Sequence, residues 1–264
     1  MGARRSRGTA GRRGGGDSRH ARHLTFHCKS ALLLAAALLF TAAPTAAQNS
    51  QPPPDRPELS WGRSADYDYD PPVPGSYALS VIRPAGDGLV LDARGRERSL
   101  RDVMAGRLAL LSFIYTRCSD PQGCPLATGL LYDLLDLSRQ DPAVAKNLRL
   151  ISLSFDPEHD TPEVMADYGG GAPADDEEAS DWLFLTTQDA TALRPVLAAY
   201  GQVIGEKADR ADPFGPFTHQ LRLYLIDRKG QVRNIYSLGF LDPRLVMADI
   251  RTLLLEEARE RPEG

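Results

Sequence analysis

Cysteine is scarce in this chain, and so are long apolar runs. Three of the 264 residues are cysteines, and only Cys118 and Cys124 lie beyond residue 47. That part of the chain therefore holds at most one internal disulfide. The longest apolar stretch, residues 31–40, is short for a membrane span of about 20 residues. No internal repeat is present.

The N-terminus has the composition of an export signal. Residues 1–30 hold eight of the 31 basic residues and one of the 35 acidic residues, and the apolar run follows directly. Pro44 and the small residues 45–47 come next, as at a cleavage site. We predict a signal peptide over residues 1–47 and a periplasmic or exported protein. The alternative is an uncleaved segment, residues 31–47, that anchors the protein to the inner membrane. Cys28 lies inside the signal.

A basic surface is also lacking once the signal is set aside. Removing the eight basic residues and the one acidic residue of the first 30 leaves a net charge near −11. This charge argues against a nucleic-acid partner. An exported compartment permits oxidation, so a disulfide between the two remaining cysteines is one interpretation of the pair.

The rest of the chain divides into a linker and one domain. Residues 48–75 are rich in proline and poor in aliphatic side chains, which predicts an extended tether. Residues 76–264 are long enough for one globular domain. Periodicity and turn residues predict strands at 88–92, 108–115, 148–155, 182–186, 221–226 and 232–237, and helices at 125–139, from 162, at 189–200 and at 243–260. Residues 169–180, with an acidic run at 175–178, and residues 201–216 are predicted insertions.

This order of elements predicts a thioredoxin-like α/β fold. A central mixed sheet is flanked by helices and begins with a hairpin extension near residue 88. The continuous apolar run at 108–115 is typical of a strand buried on both faces. The segment with Cys118 and Cys124 follows that strand, at the sheet edge where open α/β sheets place their active sites.

Five residues separate Cys118 from Cys124, so the tight CxxC turn of thiol-disulfide oxidoreductases is absent. Pro125 predicts a helix start, with Cys124 as its N-cap. Those oxidoreductases also place a cis-proline before the strand that faces the cysteines, whereas this chain has His219 there. Two thiolates and one imidazole suit Cu(I), and Cu(II) with added oxygen ligands; structural zinc generally takes four ligands. The pattern favours metal binding over dithiol exchange.

The chain resembles the Sco/SenC copper chaperones of the thioredoxin superfamily over about residues 76–260. The motifs are residues 112–118 with Cys124-Pro125, residues 154–162, and His219 followed by residues 223–230. The resemblance implies that Cys118, Cys124 and His219 bind copper, and that the protein serves maturation of the dinuclear copper site of cytochrome c oxidase subunit II. The family spacing is CxxxC, whereas this chain has CxxxxxC.

Other interpretations remain open at this point. The main alternative is a thiol-disulfide oxidoreductase that keeps client cysteines reduced through Cys118 and Cys124. A binding module with a structural disulfide explains neither Pro125 nor His219. A peroxiredoxin-like site needs a threonine three residues before the reactive cysteine, where this chain has Tyr115.

Five residues near the motifs receive subsidiary predictions. For Asp160 the sequence favours helix capping over support of the site, and Asp156 lies on the same loop. His159 is predicted to be a surface residue. Tyr115, like Tyr224, is predicted to pack in the core near the site.

Overall fold

The computed structural model describes residues 69–170 and 178–260. The predicted signal and anchor, most of the linker and most of the acidic run at 175–178 lie outside these ranges. The described end of the linker, residues 69–75, contains no helix or strand. Within the described ranges, no helix has both the length and the apolar character that crossing a membrane requires.

A mixed eight-stranded sheet forms the centre of the domain. Its strands are β1 (Arg83–Pro84), β2 (Leu89–Asp92), β3 (Glu97–Ser99), β4 (Leu108–Ile114), β5 (Leu148–Ser154), β6 (Asp181–Thr186), β9 (Arg222–Ile226) and β10 (Gln231–Ser237). The order is β1-β10-β9-β4-β5-β6-β2-β3. Strands β4, β5 and β6 are parallel, and the other pairings are antiparallel. A separate two-stranded sheet pairs β7 (Ile204–Glu206) with β8 (Phe217–His219).

Helices cover both faces of the sheet. They are α1 (Leu100–Met104), α2 (Cys124–Ser138), α3 (Pro142–Asn147), α4 (Pro162–Gly169), α5 (Ala190–Tyr200) and α6 (Pro243–Glu260), with a 3-10 turn at Leu238–Phe240. Alternate residues of β4 face opposite cores, because successive side chains of a strand point to opposite faces. Leu111 and Phe113 pack with residues of α1, α4 and α5, whereas Leu108 and Leu110 pack with residues of α2, α3 and α6. All seven residues of β4 are buried, as its apolar run predicts.

The register brings three loops to one edge of the sheet. Because β4 and β5 are parallel, the loop after Ile114 and the loop after Ser154 leave the sheet side by side. Strand β9 is antiparallel to β4 and pairs Leu223 with Ser112, so the segment entering β9 reaches the same edge. The predicted thioredoxin-like arrangement is therefore confirmed in the placement of the cysteine loop.

Three details differ from the sequence prediction. The hairpin near residue 88 is part of the central sheet, because β2 pairs with β6 as well as with β3. The predicted insertion at 201–216 contains β7, which pairs with β8. Helix α2 begins at Cys124 with Gly123 as its N-cap, so Cys124 is the first helical residue and not the cap.

Candidate functional site

The cysteine loop is a compact turn between β4 and α2. The amide of Cys118 donates to the carbonyl of Tyr115 at 3.2 Å, and the amide of Gly123 donates to the carbonyl of Asp120 at 2.9 Å. The Asp120 carboxylate also accepts from the amide of Gln122 at 3.0 Å. A Cβ at Gly123 would lie 3.1 Å from the sulfur of Cys118, so glycine permits the close approach of that sulfur to the helix start. The five-residue spacer is thus ordered by its own hydrogen bonds.

Cys118 and Cys124 are both free, without a disulfide between them, and they lie in different environments. Cys124 is buried, whereas Cys118 is half-buried. The side chain of Cys124 donates a hydrogen bond that, with the amides of Cys124 and Asp120, lowers the pKa of Cys118 to about 6 despite its burial. Burial, reinforced by the neighbouring sulfur, raises the pKa of Cys124 well above its usual value. At neutral pH the pair therefore holds one thiolate, at Cys118, and one thiol.

His219 occupies the last position of β8, opposite Ile204 of β7. Its ring packs against Phe155 with the centroids 4.7 Å apart, and the ring of Tyr115 lies 6.4 Å away. Burial lowers the pKa of His219 to about 4, although the charge of Asp120 opposes this shift. Among the described residues its buried Nε2 has no hydrogen-bond partner. The imidazole is therefore neutral at pH 7, with one nitrogen unused by the fold.

The three predicted ligands lie at one edge but do not form a finished metal cluster. Over residues 69–170 and 178–260, no group of three or more His, Cys, Asp or Glu side chains is close enough to hold an ion. The structure joins Cys118 to Cys124, and it places His219 near them through Tyr115 and Asp120. The donor set is two soft sulfurs and one neutral imidazole, which fits copper in its chemistry.

Asp160 supports the cysteine loop instead of capping a helix, so the capping prediction is wrong. Thr161 is the N-cap of α4. The fully buried carboxylate of Asp160 accepts from the amide of Thr116 at 3.0 Å, from the Thr116 hydroxyl at 2.5 Å and from the Ser154 hydroxyl at 2.5 Å. It therefore ties the segment just before Cys118 to the end of β5.

Asp156 makes a second connection to the same segment. Its buried carboxylate forms an ion pair with Arg117 at 2.7 Å. Two successive residues before Cys118 are thus held by two carboxylates from the loop after β5. His159, one of the residues between those carboxylates in sequence, is exposed, as predicted.

Tyr115 and Tyr224 are buried, as predicted. Tyr115 lies in the site, where its hydroxyl donates to the carbonyl of Phe214 at 3.1 Å. The hydroxyl of Tyr224 instead donates to the carbonyl of Tyr200 at 2.7 Å, away from the sulfurs. Sequence analysis did not single out Phe155 beside His219. The feature that could have identified Phe155 is its position as an aromatic residue at the end of a predicted strand, within the 154–162 motif.

Comparison with known proteins decides the family. A family model described as SCO1/SenC matches residues 89–255, more than half of the chain. The chain belongs to the SCO1/SenC family. A relative described as SCO1 protein homolog, from Bacillus subtilis (strain 168), is 27% identical over 143 residues, which are 54% of this chain and 68% of that protein.

Two solved structures show the fold of this SCO1/SenC protein. A copper-bound ScoI from Arabidopsis thaliana aligns with a TM-score of 0.54 and 17% identity, over 66% of this chain and 98% of that one. BsSco, described as having a disulfide switch and as a member of the Sco family of cytochrome c oxidase assembly proteins, aligns with a TM-score of 0.53 and 22% identity, over 68% and 98%. The likeness confirms the thioredoxin-like fold.

Proposed function

We propose that this SCO1/SenC protein is an exported copper chaperone that binds copper through Cys118, Cys124 and His219. Its client is a copper protein, and we assign the dinuclear copper site of cytochrome c oxidase subunit II as the destination. The observation behind the proposal is the unpartnered, buried Nε2 of His219 beside a cysteine pair at a helix start. A buried polar atom without a partner is costly, so a fold that keeps one usually has a use for it.

The protonation states suit Cu(I). Cys118 is a thiolate at neutral pH and His219 is neutral, so both present lone pairs without losing a proton. Cys124 is a thiol and releases one proton when its sulfur binds the ion. The three side chains do not yet form a cluster, so the cysteine loop and β8 have to approach each other to share one ion.

Relatives and the N-terminal sequence support the remaining parts of the proposal. The Arabidopsis ScoI structure contains copper, and BsSco is described within a family of cytochrome c oxidase assembly proteins. Residues 1–47 supply an export signal, or residues 31–47 an anchor. Delivery outside the cytoplasm agrees with a cysteine pair whose oxidation the compartment permits.

The test is an anaerobic Cu(I) titration of the reduced protein against a chromophoric chelator. We expect one copper per chain, with binding lost in Cys118→Ser and weakened in His219→Ala. His159→Ala is the matched control, because it removes an exposed imidazole from the same edge. Equal affinity of His219→Ala and wild type would refute the ligand set.

The cysteine pair also favours a second candidate function, reduction of a client disulfide. The thiolate of Cys118 is more accessible than the thiol of Cys124, as a nucleophile and a resolving thiol should be. Cys118 attacks one client sulfur, which forms a mixed disulfide and releases the other as a thiolate. Cys124, once deprotonated, attacks Cys118, which frees the reduced client and leaves a Cys118–Cys124 disulfide.

This second function requires a trapped intermediate. Cys124→Ser should accumulate the mixed disulfide with a model peptide that contains a disulfide, because the resolving sulfur is gone. Cys118→Ser is the control and should trap nothing. If Cys124→Ser traps no peptide, the reductase function is excluded for that substrate, whereas copper binding is unaffected by the result.

A further inference from the structure

The loop between β7 and β8, residues 207–216, contacts the cysteine loop through two adjacent carbonyls. The Ser119 hydroxyl donates to the carbonyl of Pro213 at 2.5 Å, and the Tyr115 hydroxyl donates to the carbonyl of Phe214 at 3.1 Å. The two donors stand three residues before and one residue after Cys118. Hydrogen bonds on both sides of Cys118 therefore connect this proposed ligand to the loop that leads to His219, another proposed ligand.

The loop is braced internally at the same point. The amide of Phe214 donates to the carboxylate of Asp212 at 2.8 Å, and that carboxylate pairs with Lys207 at 3.1 Å. The amide of Lys207 donates to the carbonyl of Pro216 at 2.8 Å, which closes the base of the loop. Displacing the carbonyls of residues 213 and 214 therefore displaces the loop as a unit.

The phenol of Tyr115 and the loop fit closely. Gly215 is buried with φ at +96°, a conformation that glycine adopts at little cost. A Cβ at Gly215 would lie 2.3 Å from the Tyr115 hydroxyl oxygen. The backbone at Gly215 thus approaches the phenol more closely than a residue with a side chain could.

Packed aromatic rings connect the contact between Tyr115 and the loop to His219. Phe217 opens β8, and its ring lies 5.3 Å from that of Tyr115 and 6.0 Å from that of Phe155. Phe155 in turn packs on the imidazole. A backbone shift at Phe214 should therefore be transmitted through these packed rings to the imidazole.

We propose that Tyr115 and Ser119 are positioning residues that keep the segment leading to His219 against the cysteine loop, by holding the carbonyls of Phe214 and Pro213, so that the three ligands stay near enough to approach and share one ion. This inference rests on the proposed copper site and names two residues that act on it without binding the ion. Ser119 is the first residue of the CxxxxxC spacer, so the spacer supplies one of the two contacts.

The experiment compares Tyr115→Phe, Ser119→Ala and the double variant with wild type. Phenylalanine keeps the ring packing and removes only the hydroxyl, which contacts both the carbonyl of Phe214 and the sulfur of Cys118. We expect Cu(I) affinity to fall about three- to tenfold in Tyr115→Phe and about twofold in Ser119→Ala, the scale of one hydrogen bond each. Ser119→Thr keeps the hydroxyl and should restore the wild-type affinity. Tyr200→Phe, which removes a phenol donor to the carbonyl of Gly86, is the matched control and should bind as wild type does.

A second readout separates positioning from general loss of stability. In the Cu(II) form, the nitrogen coupling of His219 in the electron paramagnetic resonance spectrum should weaken in the double variant toward that of His219→Ala. The thermal midpoint of metal-free Ser119→Ala should stay at the wild-type value. Wild-type affinity and nitrogen coupling in the double variant would overturn the proposal, and so would failure of Ser119→Thr to differ from Ser119→Ala.

A metal-free measurement distinguishes failure of this inference from failure of the copper site. The imidazole of His219 packs on the ring of Phe155 with the centroids 4.7 Å apart, so its carbon-bound protons should show a ring-current shift by nuclear magnetic resonance. The double variant should reduce that shift, whereas Tyr200→Phe should not. An unchanged shift overturns the positioning role. A changed shift together with copper binding that is independent of His219 retains the positioning role and rejects the ligand set.

Discussion

Two buried polar sites in this domain are built in opposite ways. Asp249 of α6 is almost fully buried, and its carboxylate accepts from Tyr77 at 2.6 Å, from Asn234 at 2.7 Å and from Tyr236 at 2.7 Å. His219 is also largely enclosed, yet its Nε2 has no partner among the described residues. One site satisfies its polar group completely, and the other leaves an atom free.

The difference separates a structural site from the proposed copper site. The Asp249 cluster joins the segment before β1, strand β10 and helix α6, and every named donor has an acceptor. Burial, together with the nearby carboxylate, raises the pKa of Tyr77 to about 12, so the phenol stays a donor. The sheet edge that carries Cys118, Cys124 and His219 instead holds a thiolate, a thiol and a neutral imidazole, and the Nε2 of that imidazole has no hydrogen-bond partner among the described residues. We expect mutations to cost stability at the first site and copper binding at the second.

The largest expected effect on stability comes from Asp249→Ala. It leaves three donors without an acceptor, the buried Tyr236 and the partly buried Tyr77 and Asn234. Because a buried unsatisfied group costs about 1–3 kcal/mol and a partly exposed one costs less, we expect a loss of about 3–4 kcal/mol in the free energy of unfolding. Urea denaturation measures it. Asp249→Asn keeps one carbonyl acceptor and should cost less. Below the unfolding transition, the copper stoichiometry of Asp249→Ala should match that of wild type. A loss of copper binding by the folded variant would contradict a purely structural role for Asp249.

Asp160→Asn tests a residue that is expected to contribute both to stability and to the proposed copper site. The substitution weakens three hydrogen bonds to Thr116 and Ser154, for an expected loss of about 2–3 kcal/mol. It also loosens the segment before Cys118, and residues that orient ligands typically change metal affinity about 10- to 100-fold. Denaturation and Cu(I) competition measure the two effects. Asp156→Asn, whose partner Arg117 is exposed, should change both less; equal effects would contradict the central role of Asp160.

Local patterns predicted the parts of the fold that depend on local chemistry. The apolar run of β4 and the spacing of leucines in α2 gave elements within a residue or two of those observed, because burial imposes periodicity. The placement of Cys118, Cys124 and His219 at one edge followed from strand order. Strands β7 and β8 were not predicted as a pair, because three-residue strands are too short to show a period.

Contacts between distant residues could not be predicted in the same way. Asp160 and Thr161 both precede Pro162, and a local pattern does not show which of them caps α4. The partner that decides the matter, Thr116, is 44 residues away from Asp160. Ser119 and Pro213 are 94 residues apart. Such contacts depend on the register of strands, which one sequence leaves undetermined.

The pH dependence of the cysteine pair is the next test. The rate of Cys118 alkylation should rise with a midpoint near pH 6, where its pKa lies. A pKa below its ordinary value of 9 adds folding stability as pH rises from about 6 to 9, and this contribution is lost as pH falls through 6. Cys124→Ala removes the hydrogen bond that is the main cause and should move the midpoint upward. Cys124→Ser keeps a donor and should move it less, and an unmoved midpoint in Cys124→Ala would show another cause.

The smallest expected effect is that of Thr161→Ala, and it tests the assignment of the α4 cap. The Thr161 hydroxyl accepts from the amide of Val164 at 3.4 Å, and loss of such a cap costs about 1 kcal/mol. Because the hydroxyl touches only its own helix, Cu(I) affinity should remain at the wild-type value. Thr161→Ser keeps an acceptor and should recover most of the stability. If Thr161→Ala instead leaves the urea midpoint unchanged while Asp160→Asn melts α4 selectively by hydrogen exchange, then Asp160 is the cap, and its contacts to Thr116 are secondary to the helix it begins.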